Sequence, residues 1–115
     1  MRSAITTHVL DTASGRPAAG VHVLLERMQS HDDWQPVGKG VTDGDGRIRT
    51  LVPEGRPLTI GVYRLVFDTG SYFDAKAIRT FYPHIVVTFE VAASESHYHV
   101  PLLLSPFGYS TYRGS

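Results

Sequence analysis

Hydrophobic and polar positions alternate along most of this chain, and the clearest case is residues 85–91. There Ile85, Val87, Phe89 and Val91 interleave with Val86, Thr88 and Glu90, the two-residue period of a strand with one buried face. The same period predicts strands over residues 5–10, 21–27, 35–42, 58–67, 97–104 and 107–112, with 47–51 leading into a further short one. Val21, Val23 and Leu25 share one face of their strand, and Leu58, Ile60 and Val62 share one side of the long one. Turn residues separate the runs: residues 15–20 with Pro17 inside, Asp43-Gly44-Asp45-Gly46, and Ser105-Pro106. Residues 72–78 form the one helical segment, about two turns long.

Seven or eight evenly spaced strands in 115 residues predict an all-β antiparallel β-sandwich, a single domain over residues 1–115. Such a sandwich has edge strands to blunt or to pair with another subunit. Pro101 cannot donate to a ladder, so it predicts an edge or a bulge in its strand. The 42% apolar and 19% charged fractions are those of an ordinary globular protein with a modest core. Eleven Lys and Arg balance eleven Asp and Glu without a run of one sign, which argues against a nucleic-acid partner.

The chain has no cysteine, which excludes disulfides, thiolate nucleophiles and Cys-ligated metals. Residues 1–20 hold no apolar run suited to a signal peptide, and no stretch approaches the ~20 apolar residues of a membrane span. No membrane partner is expected, and the cytoplasm is the default location.

His97 and His99 lie two apart on a predicted strand, so they share a face, with Pro101 and Leu103 continuing it. Two such imidazoles suit metal ligation, a proton relay or plain surface decoration. Zinc needs a third ligand, for which His8 is the candidate, but Glu95 is the one carboxylate nearby and a converging Arg47 would repel a metal. The calcium-loop reading of residues 43–48 fails, because Arg47 takes the third acidic position and Ile48 that of the required glycine. Arg47 is then either a solvated turn arginine or a fixed cation that orients a substrate or stabilises negative charge. His8 shares a face with Thr6 and Leu10 and reads as a structural histidine or as a site residue. Asp11 reads as a turn former, and His22, His31 and His84 as surface. With no G-x-S-x-G motif, covalent serine catalysis is disfavoured.

Thr7-His8-Val9-Leu10-Asp11, Gly46-Arg47, the run His97-Tyr98-His99-Val100-Pro101-Leu102-Leu103-Leu104-Ser105-Pro106 and the closing Tyr112-Arg113-Gly114-Ser115 occur in that order. Together they resemble the 5-hydroxyisourate hydrolases, the transthyretin-related enzymes of purine degradation, from His8 to the last residue. The resemblance implies a transthyretin-like sandwich of two four-stranded sheets with one short helix. It also implies a homotetramer, a dimer of dimers, with sites in a channel between dimers. The catalytic residues would be His8, Arg47 and His99, with Tyr112, Arg113, Gly114, Ser115 and His97 binding the substrate, and with neither metal nor cofactor.

The implied reaction hydrolyses 5-hydroxyisourate to 2-oxo-4-hydroxy-4-carboxy-5-ureidoimidazoline. In it, His8 and His99 would activate water while Arg47 polarises the carbonyl. The rival is a transthyretin-type carrier of a small ligand without catalysis; a metal-binding sandwich using His8, His97 and His99 and a plain interaction domain stand behind it. A carrier has no need of two imidazoles and a guanidinium converging on one place.

Overall fold

The computed structural model describes residues 4–115, so residues 1–3 of the expected domain lie outside the described residues. The alternating segments form β1 (Ile5–Asp11), β2 (Arg16–Pro17), β3 (His22–Ser30), β4 (Asp33–Val41), β5 (Arg47–Ile48), β6 (Gly61–Phe67), β7 (Ile85–Val91), β8 (Tyr98–Ser105) and β9 (Gly108–Thr111). The helix α1 (Thr69–Asp74) lies between β6 and β7. One sheet runs β4-β3-β6-β7, and the other β2-β1-β8-β9 with β5 also on β1. β5 pairs with Thr7 and His8, and β2 with Leu10 and Asp11. The two short strands therefore divide one edge of β1, and the five-stranded sheet is four strands wide.

Inward positions of both sheets make the core: Ile5 and Val9 from β1, Val23 and Leu25 from β3, Leu65 and Phe67 from β6, Leu102 and Leu104 from β8. The outward parity of β1 carries Thr6, His8 and Leu10, and that of β8 carries His99, Pro101 and Leu103. One pairing departs from the expected antiparallel pattern. β1 and β8 run parallel in unbroken register from Ile5 opposite Tyr98 to Asp11 opposite Leu104. Parallel strands need a long connection, and nearly the whole chain lies between these two.

Most strand ends move by one to three residues from the expectation, and at three boundaries local chemistry gives the reason. The helix begins at Thr69 because Asp68 caps it, its carboxylate accepting from Ser71 N–H at 3.2 Å. It ends well before Ile78, since Ala77 has φ 56°, outside helical space. The strand expected from residue 58 starts at Gly61, whose φ of 147° puts it where a side chain is strained. Leu58 is buried while Ile60 is 61% exposed, so the expected common face of Leu58, Ile60 and Val62 does not form.

Pro101 also falls elsewhere than expected, in a strand paired on both sides and free of register shifts. The His99 carbonyl accepts from Gly114 N–H at 2.8 Å, and the alternation of ladder bonds turns the same edge of Pro101 towards the C-terminal tail. Proline offers no N–H there, and its carbonyl accepts instead from Thr111 Oγ1 at 2.7 Å. The ladder lapses after Thr111 and resumes as a single bridge between His99 and Gly114.

α1 closes the sandwich with Tyr72 and Phe73, both buried. Tyr72 donates its phenol proton to Asp11 Oδ2 at 2.9 Å, while Asp11 Oδ1 takes the N–H groups of Ala13 and Ser14, the turn role expected of it. Burial, and then Asp11, pushes the Tyr72 phenol up to about 12. Because this lies above the unfolded value, the contribution is fully present below pH ~10 and is lost as pH rises through about 12. Tyr72→Phe is expected to lower unfolding free energy by about 1–3 kcal/mol, since a buried carboxylate oxygen loses its donor. Urea denaturation at pH 7 measures this, and an unchanged midpoint would show that Asp11 finds another donor.

Candidate active site

The parallel register of β1 and β8 sets Thr6 opposite His99 and His8 opposite Pro101, all on the outward parity. Thr6 Oγ1 lies 2.8 Å from His99 Nδ1 and 3.1 Å from His97 Nε2, so one hydroxyl holds both imidazoles. β5 then lays Arg47 opposite His8 on the far side of β1.

Local chemistry in residues 43–47 aims that arginine. Asp43 Oδ1 accepts the backbone N–H of Asp45 at 2.9 Å and of Arg47 at 3.0 Å, and its Oδ2 accepts Arg49 Nη1 at 3.1 Å. The Arg47 N–H above all holds the Asp43 carboxyl below its ordinary value; desolvation opposes it, and the Asp45 N–H and the Arg49 guanidinium add to the lowering. Gly46 completes the turn at φ 75°, and a Cβ there would stand 2.4 Å from the Val9 carbonyl oxygen. Glycine is what lets β5 close onto β1, with Val9 N–H donating to the Gly46 carbonyl at 2.8 Å. The Asp-Gly-Asp-Gly run is thus an arginine cradle.

The tail arrives from the other side. A Cβ on Gly114 would lie 2.5 Å from His99 Cδ2 and 3.3 Å from Pro101 Cγ, so a side-chain-free residue lies flat on the imidazole. Ser115 is thereby carried to the same place. Thr6, Thr7, Arg47, Arg49, His97, His99 and Ser115 line a cavity of about 120 Å³. Its walls are cationic, hydroxyl and imidazole groups, a lining suited to a small polar molecule with carbonyl oxygens and to the charge that develops when one is attacked.

Of the residues singled out by sequence, Arg47, His97, His99 and Ser115 meet in this cavity. His8 is half-buried beside it, in register with Arg47, and Gly114 braces His99 from behind. Tyr112 and Arg113 are not among the lining groups. Tyr112 is exposed, and Arg113 lies 4.6 Å over the Tyr98 ring on the core side of β8, because successive residues of an extended tail point to opposite faces. His22, His31 and His84 are exposed, as expected. A larger groove of about 810 Å³ on the outer face of the other sheet takes in His22 and His84, remote from this constellation.

Thr6, Thr7 and Arg49 are lining residues that the sequence reading did not assign. For Thr6 the signal is its parity with His8, and for Arg49 its parity with Arg47.

A family model described as the HIUase/Transthyretin family matches residues 5–114. A protein of Salmonella typhimurium named 5-hydroxyisourate hydrolase is 49% identical over 111 residues, 96% of this chain and 80% of its own. Another, 5-hydroxyisourate hydrolase 2 of Rhizobium meliloti, is 45% identical and covers 96% of this chain and 95% of its own. Among solved structures, Klebsiella pneumoniae 5-hydroxyisourate hydrolase matches with a TM-score of 0.83 at 35% identity, covering 96% of this chain and 98% of its own. Sea bream transthyretin, solved in complex with thyroxine, matches with a TM-score of 0.86 at 34% identity, covering 97% of this chain and 95% of its own. With the two-sheet sandwich and its short helix in agreement, the chain belongs to the HIUase/Transthyretin family.

Proposed function

We propose that this protein hydrolyses 5-hydroxyisourate, the reaction for which its hydrolase relatives are named, and that the product is 2-oxo-4-hydroxy-4-carboxy-5-ureidoimidazoline. The observation that carries this reading is the cavity in which Arg47 and Arg49 face two imidazoles held by one hydroxyl. A carrier of an apolar ligand gains nothing from desolvating so many polar groups; a hydrolase uses a base and a fixed cation among them.

The reaction adds water to a ring carbonyl and breaks the carbon–nitrogen bond. Neutral histidine is available as a base near pH 7, its unperturbed value being about 6.5. His99, with His8 across the sheet, takes a proton from water as the oxygen bonds the carbonyl carbon. Such assistance is typically worth ~10²–10⁴-fold. Arg47 receives the oxyanion, a role that contributes roughly 3–4 kcal/mol when one donor serves it. Collapse expels the ring nitrogen, which takes the proton back from the histidine. Ser115 and the backbone of the tail are placed to meet the N–H and C=O groups along the ring edge. This chemistry uses the chain's own groups and no metal.

The same reading places the site in a homotetramer, a dimer of dimers, with the cavity facing a channel. β9 and β7 are the outer strands of their sheets, and residues from both border one cleft, so edges on one side of the sandwich are open to a second copy.

The decisive assay generates 5-hydroxyisourate in situ from urate and urate oxidase and follows its decay. Acceleration is expected with and without a chelator; decay at the spontaneous rate would refute the hydrolase, and loss on chelation would refute the metal-free chemistry. Arg47→Ala and His99→Ala are each expected to lower kcat by about 10²–10³-fold with the unfolding transition retained, the scale of a lost oxyanion donor or base. A wild-type kcat in either would remove that residue from the mechanism. Gly114→Ala, by driving a methyl group into the His99 ring, is expected to reduce kcat at least tenfold with little change in stability. Full activity there would show that the ring position is unimportant.

A further inference from the structure

Thr6 stands where two imidazoles meet, 2.8 Å from His99 Nδ1 and 3.1 Å from His97 Nε2. A threonine hydroxyl has one proton to give and two lone pairs to receive with. It donates to at most one ring at a time, so the tautomer of one histidine constrains that of the other. Thr6 is buried on β1 and fixed by the ladder to β8, which prevents it from drifting away from either ring.

We propose that Thr6 is a positioning residue whose hydroxyl joins His97 and His99 into one coupled proton acceptor, an inference that rests on the hydrolase reading. In the resting state His99 Nδ1–H donates to Thr6 Oγ1, and the Thr6 O–H donates to His97 Nε2. When His99 Nε2 takes the proton of the attacking water, the Nδ1 proton passes to Thr6 as the Thr6 proton passes to His97. One O–H bond of water breaks, one C–O bond forms, and the positive charge gained rests on His97. Ring opening reverses the transfer and delivers the proton to the leaving nitrogen.

The surroundings give this transfer its direction. His99 shares its cavity with Arg47 and Arg49, with His8 beside it on β1, and it also borders a cleft holding Glu90 and Arg113. His97 also borders a second cavity, of about 620 Å³, that holds Glu54, Glu95 and Arg56. His97 shares the cavity of Arg47 and Arg49, so three arginines and two carboxylates surround it, against three arginines and one carboxylate around His99, and the additional carboxylate favours the imidazolium at His97.

The test compares wild type, Thr6→Val and Thr6→Ser by the pH dependence of kcat/KM and by NMR titration of the two imidazoles in the full chain. In the wild type the rings are expected to titrate as a linked pair with two macroscopic steps. In Thr6→Val the linkage weakens, the midpoint of the rate profile moves, and the plateau falls roughly tenfold, part of the ~10²–10⁴-fold of a positioned base. Thr6→Ser restores all three. Unlinked titration in the wild type, an unaltered Thr6→Val profile, or a Thr6→Ser protein as impaired as Thr6→Val overturns the proposal. Should Thr6→Val fail to fold, the wild-type and Thr6→Ser titrations decide. A wild type that does not accelerate 5-hydroxyisourate decay refutes the hydrolase alone, and the NMR linkage still decides the role of Thr6.

Discussion

Everything at the site depends on the parallel pairing of β1 with β8. It joins segments from opposite ends of the sequence at a fixed offset, Thr6 to His99 and His8 to Pro101. A one-residue slip would turn His99 into the core and bring Val100 outward, because side chains alternate between faces. The slip is opposed by the inward set of the same strands, Ile5, Val9, Val100, Leu102 and Leu104, all buried. Burial of apolar side chains that never touch a ligand thus sets the distance between the polar groups that do.

The smaller elements act as aiming devices on that frame. Asp43 has no direct place in the cavity, yet its carboxylate binds the Arg47 backbone and the Arg49 side chain. Gly46 and Gly114 contribute by what they lack, one admitting β5 to the edge of β1 and the other admitting the tail to the face of His99. Side-chain chemistry and backbone permissiveness are here parts of the same arrangement.

Much of this was legible in the sequence, for reasons that can be named. Alternation in residues 85–91 maps onto β7 residue for residue, because a strand with one buried face writes its period directly into the chain. His97, His99, Arg47 and the tail were legible through their resemblance to a family, and the structure gathers Arg47, both histidines and Ser115. The parallel pairing was not legible, since no local pattern reports which distant strand a strand will meet. Thr6 was hidden for the same reason: its role arises only when β8 is laid beside it. Arg113, carried along with its neighbours, turns to Tyr98 because the tail keeps the alternation of the strand it continues.

The missing N–H of Pro101 has a thermodynamic consequence. Between Thr111 and Gly114 the tail lacks the regular ladder that binds the rest of the sheet, and the Gly114–His99 bridge closes it beyond the gap. The tail's Thr111, Tyr112, Arg113 and Ser115 are already exposed, so detaching that bridge belongs to local opening and not to global unfolding. The completed cavity is therefore a state of lower stability than the sandwich that carries it. Its occupancy answers to whatever binds there, while the sheets beneath remain folded.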